Sequence, residues 1–554
     1  MITPLYLLSK GTGPRLRVAV LLDGWTLPGY VATILEDIGR CNFADIELAV
    51  VVASTSPTLA TLLPGLAHEL YLRVDRVMGG DSDPLAPVEG GACLSGVDRL
   101  DVKPGGPGQP WLAPDVMDEI RRRDLDVILR FCAARPHGEV LRAARCGVWS
   151  YHYGAEEDGR DGTPFFQQHA ARAPTRDVQL EVLEEEPGAN LVLCRSRFGT
   201  GGNVFLAHYR QAPFWETTHF VVWKLHDLHE LGWEHVRDRA AAPVPAAGAA
   251  GRAPTPSNAE MVKYLASRLG TAVVNRARAD HRPHNPYRLG LRHAVPPFGT
   301  TPESTSLEGF RWVGAPGHAW ADPFIFEHGG TKFLFFEDFD FERGYGTIRR
   351  AEVRSDCSLG VVSTSIDPGY HLSFPFVFEH QGEVFMIPES LANGTVTLYR
   401  ARRFPDEWLE EKVLFRGNAT DTTLWRQGPL FYFFTSLHDR DDRGMKTMLF
   451  VADSLTGDWS LHPASPVSSD VREARNAGAI FRRQGRLFRP TQNCGPRYGY
   501  GFNLREITAL SEDAFEERPW CSVDPSALPF RAIGVHTYNC CGDYEVIDAH
   551  VRGD

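Results

Sequence analysis

Four stretches of this chain echo one another, and four of their eight ends are carboxylates suited to acid–base chemistry. They run from Asp322 to Glu337, Phe374 to Glu389, Asp421 to Thr435 and Ala477 to Gln492. Each reads as a strand, a glycine turn and an aromatic-rich strand, the pattern of a β-hairpin. The starts are spaced by 52, 47 and 56 residues, and strand-built periods of about 40–50 residues mark propeller blades. In a propeller, equivalent positions of successive blades converge on one axis. Asp322, Asp421, Glu337 and Glu389 should therefore share one mouth with Arg475 and with Asn493, which follows Gln492. Converging carboxylates suit proton transfer on an acetal, or the holding of a polyhydroxylated ligand. Asp322 is the candidate base and Glu389 the candidate acid, ~5–10 Å apart if they act on an acetal, with Asp421 a third catalytic carboxylate. The alternative is that these groups tie neighbouring blades together through backbone hydrogen bonds.

A second echo lies near the same mouth. Gly344-Tyr345-Gly346 and Gly499-Tyr500-Gly501 stand 155 residues apart, as Glu337 and Gln492 do, and Arg343 and Arg497 lie just upstream. Tyrosine on a glycine-flanked loop beside arginine suits stacking on a sugar ring; a tight turn packed on the next blade is the plainer alternative. These six groups, Glu337, Arg343, Tyr345, Asn493, Arg497 and Tyr500, together with Arg475, form the candidate binding set.

Positioning such a mouth takes a closed ring of strands. Residues 305–554 give 250 positions, enough for five blades at ~50 each. Four are visible, and the fifth is expected from about 505–554, closed by a strand near Phe310–Trp312. Upstream the texture differs. An almost wholly apolar run, Leu16 to Leu22, a helical stretch from Tyr30 to Gly39 and the run Ile46 to Ala53 read as strand, helix, strand. A helix near 115–123, a strand at Asp126–Phe131, a helix near 138–145 and a strand at Gly147–His152 repeat the pattern. Residues 1–235 are thus expected to form an α/β, Rossmann-like domain. Residues 236–304 hold an Ala/Pro-rich linker and a helix from Ala259 to about Arg278, and 305–554 form the all-β five-bladed propeller.

Composition bounds the partners. The 554 residues are 43% hydrophobic and 23% charged, with a formal net charge of −12. That balance does not point to nucleic acid or to an anionic membrane as partner. No apolar run approaches the ~18–20 residues of a membrane span, and the first residues lack the pattern of a secretory signal. The ten cysteines form no Cys-x-x-Cys pair and no metal spacing, which leads to an expectation of free thiols, a cytoplasmic location and no metal. Oligomeric state is open at this level.

Three family resemblances extend these readings. Asp322-Pro323 opening an inner strand, with later carboxylates, looks like the five-bladed glycosidases that include arabinanases and β-xylosidases. A closer resemblance is to the propeller at the N-terminus of plant glucosamine inositolphosphorylceramide transferases. It is carried by Ala321-Asp-Pro-Phe-Ile-Phe326, Tyr370-His-Leu-Ser-Phe-Pro-Phe376, Ile387-Pro-Glu389, Arg497-Tyr-Gly-Tyr500 and His536-Thr-Tyr-Asn539, and it adds His536 to the binding set. The N-terminal domain, through Leu125–Phe131, Gly138-Glu-Val-Leu and Gly147–His152, resembles the tetrahydrofolate-dependent formyltransferases. That resemblance implies His152 as a catalytic residue, Ser150 where those enzymes carry Asn, and Glu186 for their Asp, facing His152 across one pocket. It also implies a tetrahydrofolate derivative as cofactor. The combined expectation is a two-module, formyl- or acyl-transferase-like tailoring enzyme whose propeller recognises a sugar-containing or natural-product substrate. The alternatives are a glycosidase-like hydrolase working at the propeller mouth, and a non-catalytic glycan-binding protein.

Overall fold

The structure, a computed structural model, describes residues 2–53, 66–105, 109–154, 163–200, 203–241, 256–280, 287–294, 296–439 and 445–551. It divides into two compact units, residues 2–277 and 278–554. The Ala/Pro-rich core of the linker, residues 242–255, lies outside the described residues, as do His281–His284 and Gly162.

In the first unit the apolar runs form a seven-stranded sheet. Leu16–Leu22 is its third strand, with Ala44–Val52 and then Asp98–Val102 on one side and Val127–Arg130 and then Val148–Tyr153 on the other. These five strands are parallel. Thr175–Val182 and Leu191–Gly199 extend the sheet as an antiparallel pair. The unit is thus α/β with a mixed sheet. Helix Gly29–Arg40 buries Val31, Ile34, Leu35 and Ile38, the spacing of one apolar stripe. Pro114–Arg122 is helical as expected. The helix expected near 138–145 is only a 3₁₀ turn, Gly138–Arg142. Gly138 has φ +72°, and Arg145 and Cys146 already hydrogen-bond to Leu125 and Asp126, which leaves no room for a longer helix. The helix expected from Ala259 spans Asn258–Asp280.

The second unit is a five-bladed propeller. Three blades are four-stranded antiparallel sheets, His318–His328 to Ser363–Ile366, Ser373–His380 to Glu407–Arg416, and Ala419–Gln427 to Ser460–Leu461. The fourth runs from Arg475–Asn476 through Arg486–Asn493 to Gly501–Leu510 and Phe515–Val523. The last two strands, expected in the fifth blade, are therefore the outer half of the fourth. The fifth blade is assembled from both ends of the unit. Ala532–Gly534 and Tyr538–Cys541 pair with Tyr544–Val551, which pairs with Tyr287–His293, and Arg311–Val313 closes the outside. The stretch 236–304 thus supplies a propeller strand as well as linker and helix. Aromatic and aliphatic side chains such as Phe335, Met386, Phe434 and Ile547 fill the layers between blades at no more than 0% exposure.

Candidate functional site

The inner strands of the first three blades share one local device. Asp322, Phe374 and Asp421 have φ of +50°, +44° and +49°, and strand register slips at each of them. A β-bulge with a non-glycine residue in the left-handed region re-aims that residue out of the ladder. This is why the three starts of the sequence repeat converge.

Asp322 is 5% exposed. Its carboxylate accepts the Phe374 N–H (3.3 Å), and its own N–H donates to Asp548 (3.1 Å). On the neighbouring fifth blade, His536 Nδ1 donates to Asp548 (2.8 Å) and His536 Nε2 lies 3.6 Å from Asp322 Oδ1. Asp548 also accepts the backbone N–H groups of His536 (3.0 Å) and Thr537 (3.2 Å). Asp421 takes the Arg475 guanidinium and the Gln492 amide (3.0 Å). Asp322, Asp421 and Arg475 thus belong to one charged cluster on the axis, with Arg475 and Asp421 each contributing to the field at Asp322.

The charges decide which carboxylate does what. Burial pushes Asp322 up, the Asp421 and Asp548 charges add to it, and His536 and Arg475 oppose them, leaving it at about 7. Burial works against a charge on His536, yet Asp548 holds its pKa up at about 9. Burial and then the charges of Asp322 and Glu389 push Glu337 well above the usual carboxylate range. Glu389 is raised by burial and by Asp421, but the Leu391 N–H (2.7 Å) and the Ser373 hydroxyl (2.9 Å) bond its two oxygens and stabilise its charge. Glu337 has no such support among the described residues. The nearest donor is His371 Nε2 at 3.8 Å, whose Nδ1 accepts the Gly346 N–H (2.9 Å). Glu337 is also the more accessible, its side chain 13% exposed. Glu389 is thus held by two donors, and Glu337 is the more strongly raised of the two carboxylates.

The rim is partly as expected. Tyr498, 48% exposed, stacks under Arg475 (4.8 Å) and meets the His536 ring edge-on (5.7 Å). Tyr287 lies on the other side of His536 at 4.9 Å. Of the expected binding set, Arg343 and Tyr345 bond each other and Asp367 on an exposed turn. Arg497 donates to the Ile533 carbonyl and lies 5.3 Å over Tyr500. Asn493 accepts the Gly495 N–H, so Gln492 is the amide on the axis. The echoing glycines serve close approach instead. A Cβ on Gly346 would sit 2.7 Å from Glu337 Oε1, and one on Gly499 2.9 Å from the Tyr287 hydroxyl.

Asp322, His536 and Asp548 each offer one possible ligand atom, and these atoms lie within 4.8 Å of one another. Asp548 is already occupied by three backbone N–H groups and an imidazole, which leaves a poor donor set for a metal.

In the first unit, Ser150 and His152 lie toward the carboxyl end of Val148–Tyr153, and Arg130 donates to Ser150 Oγ (3.2 Å). Glu186 is exposed in the turn after Thr175–Val182. Among the described residues no hydrogen bond or ion pair joins it to His152 or Ser150. The carboxylate paired in register with Ser150 is Glu181, itself bound to Asn190 (2.8 Å).

Residues 306–524 match one family. Its description is glucosamine inositolphosphorylceramide transferase 1, N-terminal. Curated relatives bear that transferase name. The protein from Oryza sativa subsp. japonica is 34% identical over 211 residues, covering 37% of this chain and 28% of its own length. The one from Arabidopsis thaliana is 32% identical over 209 residues, covering 37% and 27%. The chain thus spans little more than a quarter of these relatives. Among solved structures, the family 117 glycoside hydrolase Zg3597 of Zobellia galactanivorans shares 13% identity at a TM-score of 0.32, over 44% of this chain and 89% of that one. The Cellvibrio cellulosa alpha-L-arabinanase shares 16% at 0.27, over 36% and 77%. At those scores neither bears on chemistry.

Proposed function

We propose that this protein is a transferase acting on a sugar-containing substrate, and that the propeller mouth holds the sugar and moves a proton. The observation that carries the reading is the separation of protonation states on one axis. Asp322, poised near 7, is available as a base at neutral pH, while Glu337 keeps its proton and is available as an acid. Tyr498, 48% exposed, offers an apolar face for the ring of a sugar, and Arg475 and Gln492 fix the Asp421 carboxylate between them. The transferase names of the curated relatives support the reaction class.

The test is a glycan array probed with the intact chain, followed by turnover of whichever glycan is retained. Asp322→Asn and Glu337→Gln should keep binding but lose at least ~100-fold in turnover, the usual worth of one positioned acid or base. Label from ¹⁸O-water in the product would show hydrolysis and replace transfer with the glycosidase-like alternative. Retention of no glycan would overturn the reading.

A formyl or acyl donor built on tetrahydrofolate would have to use the first unit. The observation in its favour is the half-buried His152 at the carboxyl edge of a parallel sheet, where open α/β sheets bind ligands. Calorimetry with a formyl-folate analogue tests it: heat that His152→Ala removes supports it, and no heat from the intact protein ends it.

A further inference from the structure

His371 lies in the turn that leads from Ser363–Ile366 into the second blade, and it faces Glu337. Both backbone groups of Gly346 tie that turn down. The Gly346 N–H donates to His371 Nδ1 (2.9 Å), and the Gly346 carbonyl accepts the Leu372 N–H (2.9 Å). A ring nitrogen that accepts a hydrogen bond carries no proton, so the proton of the neutral imidazole sits on Nε2. Nε2 lies 3.8 Å from Glu337 Oε1. A Cβ on Gly346 would stand 2.7 Å from that oxygen and 2.9 Å from His371 Cε1, so only glycine lets ring and carboxyl meet over this stretch of backbone. Burial lowers the His371 pKa, which favours the neutral ring.

We infer that His371 is a positioning residue for Glu337: its Nε2–H caps Oε1, which leaves the acidic proton on Oε2 and holds the charge that remains once that proton has gone. The inference rests on the acid role proposed for Glu337. In the transfer the Oε2–H bond breaks, the proton passes to the leaving oxygen of the substrate, and the electron pair stays on the carboxylate. His371 keeps its own proton throughout. A separation of 3.8 Å is longer than a hydrogen bond, and contacts of this kind tighten in the reacting complex. A neutral donor suits the place. Asp322, Glu389, Asp548 and Asp421 raise Glu337, which keeps it protonated; an imidazolium at the same distance would draw the proton off before the substrate could take it.

The titration of Glu337 in the intact chain tests this without a substrate. Glutamate carrying ¹³C in its side-chain carboxyl gives one signal per residue, and the signal missing from Glu337→Gln belongs to Glu337. His371→Asn keeps an oxygen for the Gly346 N–H but stops short of Oε1, whereas His371→Gln places an N–H where Nε2 stood. His371→Asn should therefore raise the Glu337 midpoint by about one pH unit, a tenfold loss of acidity, and His371→Gln should leave it close to wild type. His371→Phe, a second variant without the donor, should repeat the asparagine result. ¹⁵N spectra should show the wild-type His371 ring protonated on Nε2 alone at neutral pH. Equal midpoints in all the variants, a shift in His371→Gln as large as that in His371→Asn, or an imidazolium at neutral pH would each overturn the inference. Turnover plays no part in these readings, so they can fail while Glu337→Gln still loses activity, and hold while it does not.

Discussion

Replacing Asp548 by Asn should unmake the axial charge arrangement without changing its shape. Asp548 accepts the His536 imidazole at 2.8 Å and three backbone N–H groups. Its charge holds His536 at about 9 against burial, where the ordinary value is 6.5. That difference is about 3 kcal/mol of preference for imidazolium in the folded protein. Because the folded pKa is raised, the contribution is fully present below pH 6.5 and is lost as pH rises through 9. In Asp548→Asn, only Asp322 is left to oppose burial and the Arg475 charge, and His536 should titrate well below 9. Histidine-ring NMR across pH 5–10 reads this directly, as a midpoint moved downward. Denaturant unfolding should show the variant less stable by about 3 kcal/mol near pH 6, with the gap closing towards pH 10. A His536 that titrates near 6.5 in the wild type, or is unmoved in Asp548→Asn, would refute the electrostatic reasoning.

Asp322→Asn should stabilise the protein while abolishing turnover. Asp322 rises from 3.8 to about 7 on folding, so its stabilising contribution is lost between those pH values. The variant should gain about 2–4 kcal/mol over wild type above pH 7 and nothing near pH 3, measured by chemical denaturation. Gly346→Ala should cost about 1–3 kcal/mol and weaken ligand binding, since the new methyl meets Glu337 Oε1 at 2.7 Å and the Leu372 carbonyl at 2.9 Å; calorimetric melting and ligand titration check both. A fragment of residues 278–554 should unfold cooperatively, and one starting at 305 should not, because it lacks the Tyr287–His293 strand of the fifth blade; scanning calorimetry distinguishes them.

The propeller was legible because four blades repeat the same hairpin, and the repeat also located Asp322, Glu337, Glu389 and Asp421. What it could not supply was the fifth blade, whose strands come from both ends of the unit and carry no clear copy of the motif. Asp548 and Tyr287 were missed for that reason, although they flank His536. The surroundings of Glu337 and Glu389 were not separable by position, since the repeat aligns the two residues with each other. Local hydrogen bonds, from Ser373 and Leu391 to Glu389 alone, make the difference. In the first unit, the βαβ texture was readable from apolar runs. The neighbour of Ser150 was not, because strand register decides that Glu181 lies beside it.

The clasp of the propeller has a consequence for how the protein is made. Tyr287 pairs with His550, about 260 residues later, so closing the ring carries a loop entropy of about 5 kcal/mol that nearby contacts cannot share. The same clasp contributes Tyr287, His536 and Asp548 to the axial cluster. During synthesis the first four blades can stack as each emerges, but the chain has no working mouth until its last strand is threaded beside one made long before. The axial cluster and the closed ring therefore arrive in the same step, and a product lacking Tyr544–Val551 would retain most of its blades and lose Asp548 from the axis.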